Sequence, residues 1–373
     1  MTDIPNGEPA PALERLEQLI RIESPSRDTQ ASRRMADLLA EWWQAAGATV
    51  RFEETDAGTS LVAEADGVGD PLLLVGHSDT VWPRGAIDTD VPWSVEGDTV
   101  RGPGVYDMKG GLLVMVAAFE RLRHRRHRSL RVVVVCDEEV GSPSTQALMR
   151  RCATGVSGAI GFESPHPDGA LKVGRRGSTR ARVSVRGRAS HAALDPGSGI
   201  SAIDELVDQL MAVRRIVADP ELPSEVLCNV GTIGGGGRAN VVPADAHAEI
   251  GMRFQDAAAE GRVREALDSL VPVRPGARVE TSILSSRPAW SPSDADRGLV
   301  RAIASAAGRI GQRVVGRPAS GAGDTNLLGS LGIPTVDGFG PRGGGAHAVT
   351  EHVSLTSLAE RVDLLEAFLA DVP

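Results

Sequence analysis

The sequence predicts an α/β fold, a larger domain on a mostly parallel central sheet, with an inserted α+β domain of ferredoxin-like order. Three observations predict it. The runs Pro71–Val75 and Leu130–Cys136 are apolar without polar alternation, as strands buried on both faces of a sheet are. Segments of helical periodicity alternate with these runs, the pattern of a parallel sheet with helical crossovers. From Gly174 the order changes to β-α-β-β-α-β for about a hundred residues, which is ferredoxin-like. The domain limits drawn from these shifts are residues 1–173, 174–286 and 287–373, the first and last forming one α/β domain.

Each element has its own signal. Leu13, Leu16, Leu19 and Ile20 recur at helical spacing in Ala12–Ile22, and Ser24-Pro25-Ser26 ends that helix. A second helix spans Ser32–Ala46 and stops at Gly47. Short β-rich runs follow at Thr49–Phe52, Leu61–Ala65 and Pro71–Val75. Next come a helix at Gly110–Leu122, the strand Leu130–Cys136, a helix at Pro143–Arg151 and a strand at Gly158–Phe162. In the insert, Arg180–Val185 alternates arginine with apolar residues, the period of a strand with one wet face. A helix (Ile200–Val217), strands Val226–Ile233 and His247–Phe254, a helix (Ala257–Leu270) and a strand (Arg278–Leu284) complete it. Beyond Pro288 the chain predicts a helix at Arg297–Ile310, a strand at Ile333–Val336 and a closing helix at Leu355–Leu369.

Composition narrows the function classes. Of 373 residues, 41% are hydrophobic and 24% charged, ordinary for a globular protein with a sizeable core. The formal net charge of −9 argues against nucleic acid or an anionic membrane as the main partner. Cys136, Cys152 and Cys228 are too few and too scattered for a disulfide framework or a thiolate zinc site. The first residues carry no basic stretch followed by an apolar run, and no segment has the ~18 apolar residues of a membrane span. The expectation is a soluble, cytoplasmic protein. The basic run Arg121–Arg128 (RLRHRRHR) resembles a nucleic-acid patch, but it falls at a predicted helix end, where cations complement the dipole.

Histidines and carboxylates gather at strand ends and in glycine-rich loops. LLLVGHSDTV presents His77 and Asp79 after a buried strand; the alternative for such a pair is a satisfied loop histidine. RGPGVYDMKGG sets Asp107 between glycine-rich turns, where a carboxylate can bridge two cations. Its glycine spacing and preceding strand are wrong for a dinucleotide loop, and no phosphate-binding GxxxxGK[ST] occurs. VVVVCDEEVGS ends the most apolar strand with Asp137, Glu138 and Glu139. In extended backbone, consecutive side chains point to opposite sides. One glutamate can then ligate a metal while its neighbour faces a reacting water as general base; an isolated acidic triplet also reads as a solvated turn. Glu163 follows the strand ending in Phe162. GPRGGGAHAVTEH carries His347, with Glu351 four residues on and His352 after it. Ligands in open α/β sheets sit beyond the carboxyl ends of the strands. Oxygen and imidazole donors without thiolate suit zinc, with manganese or cobalt as alternatives.

The segments HSDTV, GPGVYDMKGG, DEEVGS, the strand-end Glu163, GRASHAA, GRANVVPADAHAEIGMRF and the GAGD and GGGAH loops occur in one order over nearly the whole chain. In these the sequence resembles the M20 family of zinc-dependent exopeptidases and deacylases, most closely the carboxypeptidase G2-like (glutamate carboxypeptidase) branch. The resemblance implies a zinc-exopeptidase-like catalytic domain with a lid and dimerisation domain inserted, and a site for two Zn2+ (Co2+ or Mn2+ as alternatives). Asp107 would bridge the metals, with His77 and Glu163 on one and Glu139 and His347 on the other. Glu138 would be the general base, Asp79 the carboxylate behind His77, and His352 structural. His191 would reach across a homodimer interface toward the substrate carbonyl, and Asn240 and Arg253 would hold the substrate's free carboxylate, an arginine fork suiting a carboxylate. The implied activity is hydrolysis of an amide bond next to a free carboxylate in a small peptide, releasing a C-terminal amino acid such as glutamate. The same scaffold also serves N-acyl or N-carbamoyl amino acid deacylases. A non-catalytic binding protein on a decayed fold is a third reading, opposed by the complete ligand set and Glu138.

Overall fold

The computed structural model describes residues 9–372. The chain forms two compact units, one of Met1–Gly174, Pro292–Ala319 and Gly323–Pro373, the other of Arg175–Ser291 and Ser320–Ala322. The second unit thus begins close to the sequence limit at 174 but runs past 286. Strand Arg278–Arg287 continues beyond the expected Leu284, and Trp290 exchanges backbone hydrogen bonds with Arg175.

The first unit is built on a six-stranded mixed sheet. In spatial order its strands are Thr49–Thr55, Gly58–Ala65, Arg128–Val135, Val68–His77, Gly158–Gly161 and Thr335–Val336. The first two pairings are antiparallel and the remaining three parallel. The apolar runs occupy the middle of the sheet because both of its faces are covered. Leu73, Val75, Val133 and Val135 pack with Leu148, Met149 and Leu328 on one face. At Gly76 a side chain would strike Leu112, Met115 and Met108, so the buried helix Gly110–Arg121 lies close against this strand.

Helix starts follow local chemistry. Asp28 caps Thr29–Ala45 by accepting the Ala31 N–H, and Ser354 caps Leu355–Leu369 by accepting the Ser357 N–H. Ser293 and Asp296 form a reciprocal capping box at Asp294–Arg309. The first helix runs Pro9–Arg21, starting earlier than the expected Ala12. The basic run after Gly110–Arg121 has an internal use: Arg121 pairs with Asp363 and Glu366, Arg125 with Glu366, and Arg128 donates to the Phe368 and Asp371 carbonyls of the closing helix end.

A small sheet invisible to periodicity positions the chemistry. Strands of two or three residues, Gly343–Gly344, His352–Ser354, Thr99–Arg101 and Ser94–Glu96, pair in that order. They fasten the loop carrying His347 to the segment leading into Asp107. Such short strands present no alternation to read.

The second unit is a four-stranded antiparallel sheet in the order Val226–Gly235, Asp245–Phe254, Gly177–Arg186, Arg278–Arg287, with helices Ala202–Val217 and Ala257–Asp268. Its core gathers Val183, Val185, Leu206, Ile250, Phe254 and Val263. Ser201 and Asp256 cap the two helices. This is the ferredoxin-like order that the sequence predicts.

Candidate metal centre

Five segments of the first unit bring His77, Asp107, Glu138, Glu139, Glu163 and His347 together. His77 is the last residue of strand Val68–His77 and is almost fully buried. Asp107 sits in the tight turn Val105–Lys109 that feeds helix Gly110–Arg121. Gly104 opens that turn at φ +76°, and a side chain there would meet Thr80. Glu163 follows strand Gly158–Gly161, and His347 follows the Gly343–Gly345 turn. Glu138 and Glu139 depart from the extended backbone expected of them, lying in a single 3₁₀ turn, Glu138–Val140. Successive residues of such a turn are rotated by about 120° about its axis, and both carboxylates come within reach of His77, Glu138 beside Glu163 and Glu139 beside Asp107.

The carboxylate of Asp107 lies between the two histidines. Its Oδ1 is 3.2 Å from His77 Nε2 and its Oδ2 is 3.3 Å from His347 Nε2. Glu163 Oε1 is 3.5 Å from His77 Nε2, and Glu139 Oε2 is 3.2 Å from His347 Nε2. His77 Nδ1 donates to the backbone carbonyl of Asp79 at 2.9 Å, which leaves Nε2 as the lone-pair nitrogen of the neutral ring. That lone pair faces two carboxylate oxygens, so a proton or a metal cation must lie between them. Two donors each about 2.0–2.1 Å from a tetrahedral zinc ion stand about 3.3 Å apart, which these separations match. Glu139 Oε1 is a buried oxygen with no hydrogen-bond partner. His77, Glu138 and Glu163 form one group able to hold a metal, and His77, Asp107 and Glu139 another.

The electrostatics of the metal-free protein agree. Burial opposes the charge on His77, but bonds to Asp107, Asp79 and Glu163 outweigh it and raise its pKa well above the usual value. Asp107 and Glu139 raise His347 to about 10. Burial works against the Asp107 carboxylate, yet the two histidines hold its pKa far below the usual range. Protons thus supply the positive charge that a metal would bring.

One expected role differs in detail. The resemblance puts the Asp79 carboxylate behind His77, whereas the nearer acceptor is the Asp79 backbone carbonyl, Oδ1 standing 3.5 Å from Nδ1. The carboxylate also accepts the N–H groups of Glu138 (3.1 Å) and Glu139 (3.2 Å) and the Ser26 hydroxyl (2.6 Å). Asp79 therefore fixes the 3₁₀ turn carrying both glutamates. His352 Nδ1 binds the Thr350 carbonyl within the small sheet. Trp82 and the work of Glu351 leave no mark in the sequence beyond the spacing of Glu351 four residues after His347.

His191, Asn240 and Arg253 belong to the second unit. The Nδ1 of the exposed His191 accepts the N–H groups of Ala193 and Leu194, so its Nε2 bears the hydrogen and can donate outward. Asn240 lies beside it, its carbonyl accepting the Ala192 N–H. Arg253 is exposed on strand Asp245–Phe254, one guanidinium nitrogen donating to the Met252 carbonyl.

Comparison with known proteins agrees with this chemistry. Carboxypeptidase G2 of Pseudomonas sp. (strain RS-16) is 27% identical over 375 residues, covering 96% of this chain and 88% of that protein. Succinyl-diaminopimelate desuccinylase of Caulobacter sp. (strain K31) is 27% identical, covering 91% of each. Among solved structures, aminopeptidase PepT from Bacillus cereus ATCC 10987 superposes with a TM-score of 0.74 at 21% identity, over 97% of this chain and 98% of that one. The M20 family metallo-carboxypeptidase Sso-CP2 from Sulfolobus solfataricus gives 0.70 at 17% identity, over 96% and 98%. These structures share the fold. Residues 73–371 match the peptidase family M20/M25/M40, and the chain belongs to that family of metal-dependent hydrolases.

Proposed function

We propose that the protein is a two-zinc carboxypeptidase that hydrolyses the amide bond preceding a carboxylate-bearing C-terminal residue such as glutamate. One observation carries it: the Asp107 carboxylate turns one oxygen to His77 and the other to His347, the posture of a ligand shared by two cations. His77 and Glu163 would complete one metal and His347 and Glu139 the other. A metal pair bound there acidifies a shared water and polarises the scissile carbonyl.

The protein's own residues do the rest. Glu138, buried beside this cluster, takes the proton of the attacking water and returns it to the departing amine. Asp79 holds the turn that aims Glu138. His191, with its donor nitrogen turned outward, reaches across the proposed homodimer interface to stabilise the developing oxyanion. Arg253 and Asn240 bind the free carboxylate, the arginine through two parallel bonds.

Carboxypeptidase G2 supports the peptidase reading, while the desuccinylase of equal identity supports a deacylase on the same scaffold. A hydrolysis screen separates them, using dipeptides, N-acyl and N-carbamoyl amino acids and folate-like glutamates with metal content measured on the same sample. Preference for peptides with a C-terminal glutamate upholds the proposal. Preference for N-acyl or N-carbamoyl amino acids replaces it with the deacylase, and two metals bound without any turnover would favour a binding protein.

The second unit offers a surface for a second copy of the chain, and we place a homodimer there. Ile203, Val207 and Met211, at successive i+4 positions of helix Ala202–Val217, are exposed. Strand Val226–Gly235 is one edge of the sheet, with Leu227 and Ile233 exposed. An apolar helix stripe beside an open strand edge suits self-pairing across a two-fold axis.

A further inference from the structure

Glu351 is fully buried. Its carboxylate collects four donors. Oε2 accepts the Trp82 indole N–H at 2.6 Å and the Gly104 N–H at 3.0 Å; Oε1 accepts the N–H groups of Tyr106 at 2.9 Å and Asp107 at 3.1 Å. Trp82 lies three residues beyond Asp79, on the loop that follows His77. Gly104, Tyr106 and Asp107 form the turn of the bridging carboxylate. Glu351 itself closes the His347 loop, its N–H donating to the Ala348 carbonyl at 2.9 Å. Gly345 in that loop has φ +73°, and a side chain there would strike the Thr350 backbone at 2.6 Å, so this turn leaves no slack. A buried carboxylate with its lone pairs satisfied by three backbone N–H groups and an indole N–H is a rigid fastener, since breaking any bond strands a buried polar group.

We propose that Glu351 is a positioning residue: it fastens the loops of His77, Asp107 and His347 to one another, setting the spacing of the metal donors before any cation binds. This rests on the two-metal reading above. Groups outside a ligand set that orient it control metal affinity even though they never touch the ion.

The substitution Glu351→Gln tests it. An amide offers one oxygen, and its NH2 would confront two N–H donors whichever way it turns, so two of the four bonds are lost at nearly constant volume. Binding of Co2+ to the chelator-treated full chain is followed by calorimetry and by the visible absorption of the ion, which reports its coordination geometry. Circular dichroism monitors the fold. The expected result is Co2+ affinity weaker by about 10- to 100-fold with an altered spectrum. Glu205→Gln, which loosens only the second unit, should leave both readouts at wild-type values. Wild-type affinity and spectrum in Glu351→Gln, with only the melting temperature lowered, would overturn the proposal. If Glu351→Gln does not fold, Trp82→Phe removes a single donor. A weaker, spectrally altered cobalt site then supports the proposal, and an unchanged one overturns it. A wild-type chain that takes up no cobalt removes the two-metal reading itself, an outcome visible without any variant.

Discussion

A histidine nitrogen facing two carboxylate oxygens needs positive charge between them, and this molecule repeats the arrangement at His77 and His347. Glu138 and Glu139 share one 3₁₀ turn, and the proposed mechanism gives Glu139 to the metal beside His347 and Glu138 to proton transfer. Replacing Glu138 by alanine should lower turnover by about 10²- to 10⁴-fold, the usual share of a general base, with metal content unchanged. Metal analysis alongside steady-state rates checks both halves; a variant with wild-type rates would remove Glu138 from the mechanism. The residue types and their order were legible in the sequence. The partner of the His77 ring was not, because a backbone carbonyl leaves no trace in side-chain identity.

At the scale of elements, the long buried strands and amphipathic helices were legible because period and apolarity survive in the sequence. The small sheet of Gly343–Gly344, His352–Ser354, Thr99–Arg101 and Ser94–Glu96 was not, since its pairing is set by contacts distant along the chain. A buried carboxylate fixes the second unit in a similar way. Glu205, wholly buried on helix Ala202–Val217, accepts the Gln209 amide and the N–H groups of Val273 and Arg274. Burial pushes its pKa up, but those bonds and the Arg274 guanidinium outweigh it and hold the value below the ordinary range. A carboxyl with a lowered folded pKa stabilises the protein above its unfolded value, about 4.3, and that contribution disappears as pH falls through the folded value. Glu205→Gln should therefore cost about 2–3 kcal/mol at pH 7 and progressively less in acid. Urea unfolding of both proteins at pH 7 and pH 4 measures the gap, and a gap independent of pH would refute this account.

For the whole molecule, the proposed metal pair and the proposed homodimer each make a prediction. Ligands that bind only the folded state stabilise it by mass action, by about 4 kcal/mol at a thousandfold excess over Kd. Stripping with a chelator should lower the melting temperature and abolish activity, and added zinc should restore both. A melting temperature indifferent to zinc would contradict a metal pair at this site. The exposed stripe on Ala202–Val217 makes a second prediction. Val207→Glu places a charge in the proposed interface and should convert a dimer to a monomer in sedimentation or light scattering. A wild type that is already monomeric at micromolar concentration refutes the dimer.

Alone, the sequence determined the α/β architecture with its inserted ferredoxin-like unit, the family, and which histidines and carboxylates are candidates to hold a metal. Those follow from local periodicity, residue chemistry and motif order, all written along the chain. Only the tertiary structure decided that the Asp79 carboxylate also holds the glutamate turn and that the Asp79 backbone carbonyl is the nearer acceptor for His77. Only it gathered Trp82, Gly104, Tyr106 and Asp107 around Glu351. Backbone donors and acceptors are the same at every residue, so where they meet is decided by folding and cannot be read from side-chain identity.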